Sequence, residues 1–190
     1  MDISVSYYRR FLDEGDEQGL TELIKLYKNG LLFYINGFVN NYSLAEELTE
    51  NTFVHLFLKK PKYKNLSSFK TWLYTIARNL TIDYLRKNKK KNSREISIEL
   101  LTDSVSAHEA EHLEESYIKS EDKITVHKAM SKLKSEYREI LWLIYFEDLS
   151  IKESARILKK SVSNVGTLVH RARTSLKKEL EKEGFIYENI

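Results

Sequence analysis

The sequence predicts an all-α protein built as two small helical domains joined by an acidic linker, with a helix-turn-helix in the C-terminal domain. Three observations predict it. Only one Pro and six Gly interrupt 190 residues, too few breakers for a turn-rich β fold. Apolar residues recur at three- and four-residue steps, which is helical spacing. Charge falls in blocks: residues 1–94 carry about +6, 95–122 about −8 and 123–190 about +5. A composition of 42% hydrophobic and 31% charged residues supplies one ordinary core or two small ones. The absence of Cys excludes disulfides, thiolate metal sites and cysteine nucleophiles, and fits a reducing compartment. The amino terminus shows no signal pattern, and no stretch approaches the ~18 apolar residues a membrane span needs. A cytoplasmic protein without membrane insertion is expected.

In the first unit, residues 1–94, Leu20, Leu23, Ile24, Tyr27, Leu31, Phe33, Tyr34, Ile35 and Phe38 make a helical stripe. Ser43 with Glu46 has the spacing of a capping box. The helix it would start turns Leu48, Phe53, Leu56 and Phe57 inward and Glu46, Glu47, Glu50 and Asn51 outward. Such an acidic face either receives a basic partner protein or only keeps the helix soluble. Pro61 breaks the pattern, and Lys62, Tyr63, Lys64, Asn65, Leu66, Ser67 and Ser68 form a polar loop.

A helix is expected from about Phe69 to Lys89, with Trp72, Leu73, Ile76, Ala77, Leu80 and Tyr84 as its apolar stripe. Lys70, Tyr74, Arg78, Asn79 and Arg86 fall elsewhere on its surface. Trp72 reads as a core aromatic, and Tyr74 as the better candidate for touching a ligand. Residues 86–94 then hold six cations in nine positions, a density suited to phosphates. A localisation or heparin-type patch has the same look. The neighbouring loop favours single-stranded DNA, because its aromatic and amides suit an unstacked base.

Residues 95–122 set Glu95, Glu99, Asp103, Glu109, Glu111, Glu114, Glu115, Glu121 and Asp122 against Lys119. Self-repulsion and scarce apolar anchors make this a tether rather than a packed element.

In the last unit, residues 123–190, Val126, Met130, Leu133, Tyr137, Ile140, Leu141, Ile144 and Tyr145 form an amphipathic stripe that reads as a helix pair. Ser150 with Glu153 is a second capping-box pattern, starting a helix that buries Ile151, Ala155, Ile157 and Leu158. After a break at Lys159 and Lys160, Ser161 opens another helix, whose buried side takes Val162, Val165, Leu168 or Val169, and Ala172. Short helix, tight turn and longer basic helix make a helix-turn-helix. Ser161, Ser163, Asn164 and Thr167 are candidates for reading base edges in the major groove. Lys159, Lys160, His170, Arg171, Arg173, Lys177 and Lys178 are candidates for phosphates. The bland alternative is a helical hairpin with no DNA role, and His170 is equally readable as an ordinary surface histidine.

Taken together, these segments resemble the extracytoplasmic-function group of bacterial RNA polymerase sigma factors, of the sigma-70 family. Residues 69–86, FKTWLYTIARNLTIDYLR, are similar to the family's F-x-x-W-L-Y-x-I-A-R-N-x-x-x-D-Y-L-R. Residues 45–53, AEELTENTF, resemble its core-binding helix, and residues 158–173 its promoter-reading helix-turn-helix. The resemblance implies region 2 over 1–94, a linker over 95–122 and region 4 over 123–190. It implies that Glu46, Glu47, Glu50 and Asn51 meet the clamp helices of the largest subunit of core RNA polymerase. The −10 element would be captured by Lys62, Tyr63, Lys64, Asn65, Ser67, Ser68, Lys70, Tyr74, Arg78, Asn79 and Arg86. The −35 element would be read by Lys159, Lys160, Ser161, Ser163, Asn164, Thr167, His170, Arg171, Arg173 and Lys177. The linker would follow the RNA exit path. An anti-sigma factor is a further partner the resemblance allows.

Departures from the family pattern are Lys159 and Lys160 in the turn, where Gly and an apolar residue are usual, and Gly166 and Leu168 at positions often cationic. A left-handed Lys would cost about 1 kcal/mol. Glu50 and Asn51 stand where Gln and Glu are usual. The expected function is promoter-specific initiation with core polymerase. The alternative is a helix-turn-helix regulator binding duplex operator DNA by itself, which would have no need of residues 62–86. No carboxylate pair or His cluster has metal-ligand spacing on one face, so no enzyme, cofactor or metal is expected.

Overall fold

Polar side chains at their starts set most of the helix boundaries. The computed structural model describes residues 2–92 and 121–185 and, among them, eight helices and no strand. Helix α1 (Ile3–Asp13) begins where the Asp2 carboxylate accepts from the Ser4 amide at 3.0 Å, and α2 (Glu17–Val39) where Asp16 accepts from Gln18 at 2.9 Å. Helix α1 is absent from the sequence expectation, because its 11 residues barely fill the shortest window in which periodicity can be read. Gly19 lets it lie close against α2: a Cβ there would stand 2.3 Å from the Tyr7 carbonyl oxygen.

Asn40, at φ 49°, ends α2, and Asn41 accepts from the Leu44 amide at 2.9 Å to start α3 (Tyr42–Lys59). The expected Ser43–Glu46 cap is therefore wrong: two Asn residues turn this hairpin, one tolerating the left-handed region and the other capping. Lys60 closes α3 at φ 44°, and Pro61 cannot continue it. Ser68, accepting from the Thr71 amide at 3.3 Å, leads into α4 (Phe69–Asn92), which runs past its expected end at Lys89. Tyr8, Phe11, Leu23, Leu31, Ile35, Leu56, Phe69 and Leu73 are buried between these helices. Phe57, expected to face inward, is 43% exposed. Leu56 takes the inward place, and neighbours on a helix diverge by about 100°.

Of the acidic segment expected over 95–122, residues 95–120 lie outside the described residues, while Glu121 and Asp122 already belong to α5 (Glu121–Ser131). Helix α6 (Ser135–Tyr145) follows, then α7 (Ile151–Leu158) and α8 (Val162–Lys182). The Ser150–Glu153 box forms in both directions, at 3.2 and 3.0 Å. Lys159 takes the left-handed conformation at φ 54°, and Ser161 accepts from the Asn164 amide at 3.1 Å to start α8. Val165, Leu168, Val169 and Ala172 are buried. Three expectations are corrected. Ile151 and Val162 share a face with the buried residues of their helices but are exposed, because each is the first residue of its helix, at the end where the cover of that face stops; Tyr145 is exposed at the last turn of α6.

The two units share one continuous core, with α2 packed on α6 and α4 on α7. Phe33 of α2 lies 5.6 Å from the Trp142 ring of α6. The Arg138 guanidinium donates to the Gly37 carbonyl at 2.9 Å. No helix among the described residues is long and apolar enough to cross a membrane.

Candidate nucleic-acid interface

Three separate surfaces hold the residues singled out in the sequence. On α8 the burial of Val165, Leu168, Val169 and Ala172 turns the opposite side to solvent, so Ser161, Ser163, Asn164, Thr167, His170, Arg171, Arg173 and Lys177 are all exposed. The first four lie at the start of the helix, where side chains reach groove edges, and the cations follow along its length. The Arg173 guanidinium lies 5.3 Å from the Tyr145 ring centre, which gives that exposed ring a neighbour. Lys159 and Lys160 are exposed in the turn, Lys160 3.4 Å from Glu136.

On α3, Glu47, Glu50 and Asn51 are exposed, while Glu46 is partly covered, 3.9 Å from Lys28. Val54 and Leu58 are exposed on the same helix, so the acidic face continues into apolar side chains that periodicity alone assigns to no role.

The third surface is the 62–68 loop with α4. Lys62, Lys64 and Asn65 are exposed, and Asn65 is held at φ 54°. Tyr63 is half-buried: its hydroxyl donates to the Ser67 carbonyl at 2.5 Å, and its ring stands 5.5 Å from Phe69 and 5.3 Å from Trp72. Trp72 is half-buried rather than enclosed. Asn79 is half-buried and Arg86 exposed, 3.3 Å from Asp83.

Tyr74 is a correction. The reading of it as a ligand contact fails here, since it is wholly buried, its ring 5.1 Å from Tyr34. It sits one residue after Leu73, and the C-terminal unit covers the face that a lone helix would leave bare. Burial pushes its hydroxyl pKa well above the ordinary value.

Carboxylates from the other unit hold several of the polar groups on this third surface. Arg78 Nε donates to Glu139 Oε1 at 2.7 Å, and the same oxygen accepts from the Tyr34 hydroxyl at 2.9 Å. Lys70 Nζ is 2.8 Å from Glu147 Oε2 and donates to the Glu147 carbonyl at 2.7 Å. The Ser68 hydroxyl donates to Glu153 Oε1 at 3.0 Å, and Arg156 donates to the Leu66 carbonyl at 2.7 Å. Burial raises the Glu139 pKa, with Arg78 and Tyr34 pulling against it. At Glu153 burial also pushes upward, but bonds from Ser150, Ser68 and Thr71 outweigh it and the pKa is lowered. Sequence reasoning gave Glu139 and Glu147 no part; their one signal was acidity beside inward apolar positions. Among the described residues no three His, Asp or Glu side chains cluster as metal ligands.

Residues 23–91 match the family described as Sigma-70 region 2, and residues 123–176 match Sigma-70, region 4. The chain is 34% identical over 164 residues to the RNA polymerase sigma factor YlaC of Bacillus subtilis (strain 168), covering 86% of this chain and 92% of that one. It is 27% identical over 190 residues to the ECF RNA polymerase sigma factor SigW of the same organism, covering 95% and 98%. Among solved structures it is similar to the sigma factor RpoE in complex with the anti-sigma factor NepR from Bartonella quintana, with TM-score 0.65 and 23% identity over 85% of this chain and 96% of that one. It is likewise similar to CnrH in complex with the cytosolic domain of CnrY, with TM-score 0.60 and 20% identity over 94% and 95%.

Proposed function

We propose, from the premise that this chain belongs to the extracytoplasmic-function sigma factors of the sigma-70 family, a division of its promoter-directing work among three surfaces. The protein directs core RNA polymerase to specific promoters and initiates transcription there. Within that activity, Glu46, Glu47, Glu50 and Asn51 on α3 receive the basic clamp of the largest polymerase subunit by charge complementarity. The loop over 62–68, with Lys70, Arg78, Asn79 and Arg86, takes the −10 element as single-stranded DNA. Tyr63, already seated against Phe69 and Trp72, gives that strand an aromatic neighbour.

Helix α8 reads the −35 element as duplex, Ser161, Ser163, Asn164 and Thr167 at base edges and Arg171, Arg173 and Lys177 at phosphates. Residues 1–94 act as region 2, 95–122 as a linker and 123–190 as region 4. The factor works in the cytoplasm, makes no bond itself, and takes an inhibitory anti-sigma protein as a further partner.

The observation that carries this reading is that one chain holds two different candidate nucleic-acid surfaces, an exposed groove-fitting helix and a loop with exposed Lys62, Lys64 and Asn65 backed by the half-buried rings of Tyr63 and Trp72. An operator-binding regulator would leave the second without a task. Run-off transcription of a genomic library with purified core polymerase tests it. Added protein is expected to produce new promoter-dependent transcripts, and Glu47→Lys to weaken binding to core. No added transcripts, or unchanged core affinity of the variant, counts against the corresponding surface.

A further inference from the structure

The cations of α8 and of the turn before it differ in what holds them. Lys160 lies 3.4 Å from Glu136 and Lys177 3.9 Å from Glu181, so each charge is partly answered by a carboxylate. Arg173 forms no ion pair among the described residues; its guanidinium lies over the Tyr145 ring, 5.3 Å from the centre. The difference decides which donors stay free. A guanidinium carries its N–H donors in its own plane and meets an aromatic ring with its face. Stacking therefore fixes the group without consuming a donor, whereas a carboxylate takes donors up, as Glu139 does with Arg78 Nε at 2.7 Å. Phosphate oxygens are received by that same planar fork.

The ring is itself held in place. Leu143 is fully buried, and the Phe146 ring stacks on Trp142 with centres 4.3 Å apart and planes at 4°. The Phe146 amide donates to the Trp142 carbonyl at 3.0 Å and the Leu149 amide to the Leu143 carbonyl at 2.9 Å, so the backbone that carries Tyr145 is tied on both sides. Arg173 follows the fully buried Ala172, which seats the start of its stem at the edge of the core. Because α6 and α8 pack on each other, two residues far apart in the sequence meet, and the ring remains 54% exposed.

We propose that Tyr145 is a positioning residue for DNA binding: it holds the Arg173 fork ready for a phosphate of the duplex that α8 reads. The proposal rests on the assignment of α8 to duplex DNA and adds to it a residue outside the recognition helix. An unheld arginine loses rotamer freedom when it clamps a phosphate, and one already stacked has lost part of it before DNA arrives. An exposed cation–π contact of ordinary strength raises the population of the ready conformer by about threefold, and the apparent affinity rises with it. The ring face supplies the effect, so Phe can take the place of Tyr and Leu cannot.

Full-length wild type, Tyr145→Phe, Tyr145→Leu, Arg173→Ala and the Tyr145→Leu/Arg173→Ala double variant are titrated by fluorescence anisotropy against a labelled mixed-sequence duplex oligodeoxynucleotide at a series of low salt concentrations. Arg173→Ala is expected to bind more weakly and to lower the slope of log affinity against log salt by about 0.9, the loss of one phosphate contact. Tyr145→Leu is expected to bind about threefold more weakly with its slope unchanged. Tyr145→Phe is expected to bind as wild type does, and the double variant no more weakly than Arg173→Ala. A ring with a structural role alone would weaken binding by the same factor with or without Arg173, and that result overturns the proposal. So do wild-type affinity in Tyr145→Leu, a loss in Tyr145→Phe equal to that in Tyr145→Leu, and an unchanged slope in Arg173→Ala.

Should Tyr145→Leu fail to fold, Arg173→Lys decides. Lysine keeps the charge but not the planar fork, so this variant is expected to bind more weakly with the slope retained, and unaltered affinity overturns the proposal. The wild-type titration separates the two failures. Wild-type protein that binds duplex while any variant gives the contrary result keeps the duplex reading of α8 and removes the proposal; wild-type protein that binds no duplex removes both.

Discussion

Glu183 shows how one side chain can carry a measurable pH dependence. Its carboxylate pairs with Lys132, whose hydrogen bond is the main cause of its lowered pKa, and with Lys128 at 2.9 Å, so the pKa falls from 4.5 to about 2. A carboxyl depressed in the folded state stabilises above its unfolded pKa, and that stabilisation is lost as pH falls from 4.5 towards about 2. Glu183→Gln is therefore expected to lower the thermal midpoint at neutral pH and to match wild type near pH 2, as read by circular dichroism. A deficit of the same size at both pH values would contradict it. Residue identity was legible for such surface pairs only as opposite charge. The partners Lys128 and Lys132 lie on α5 and its following turn, Glu183 at the end of α8, and no local spacing links them.

At the scale of elements, α8 combines strong and weak features. Ser161 caps it and its inward stripe is fully covered, yet Gly166 lies inside it, where Gly is less favourable than Ala by about 1 kcal/mol. A Cβ at Gly166 would meet nothing within 4 Å. Gly166→Ala is thus expected to stabilise the protein by about 1 kcal/mol, visible as a raised Tm; a lowered Tm would mean the backbone there needs glycine. Helix identity was well legible in the sequence wherever a stripe was long, as in α2, α4 and α8. It failed at α1, which is short, and at the α2–α3 corner, where Asn40 and Asn41 rather than Ser43 make the turn. Capping chemistry names several candidates within a few residues, and only the backbone's path selects one.

For the whole molecule, the shared core across α2, α4, α6 and α7 makes the two units depend on each other. Glu139 is the point where this is most exposed to change, since Arg78 and Tyr34 both bond to it. Replacing one partner of a buried pair leaves the other uncompensated. Glu139→Lys, which would set two cations together, is expected to uncouple the units, so that one thermal transition becomes two in calorimetry. A single transition at the wild-type temperature would show that the contact contributes nothing to their coupling. Periodicity, charge blocks and motif spacing determined by themselves that the chain is all-α, where its helix-turn-helix lies and which family it resembles. The tertiary structure alone decided that Tyr74 is core, that Glu139 and Glu147 face cations of the other unit, and that the two units close on each other. The physical reason is that helical spacing reports which side of a helix is apolar, whereas which element covers that side, and which charge meets an inward acid, depends on residues tens of positions away.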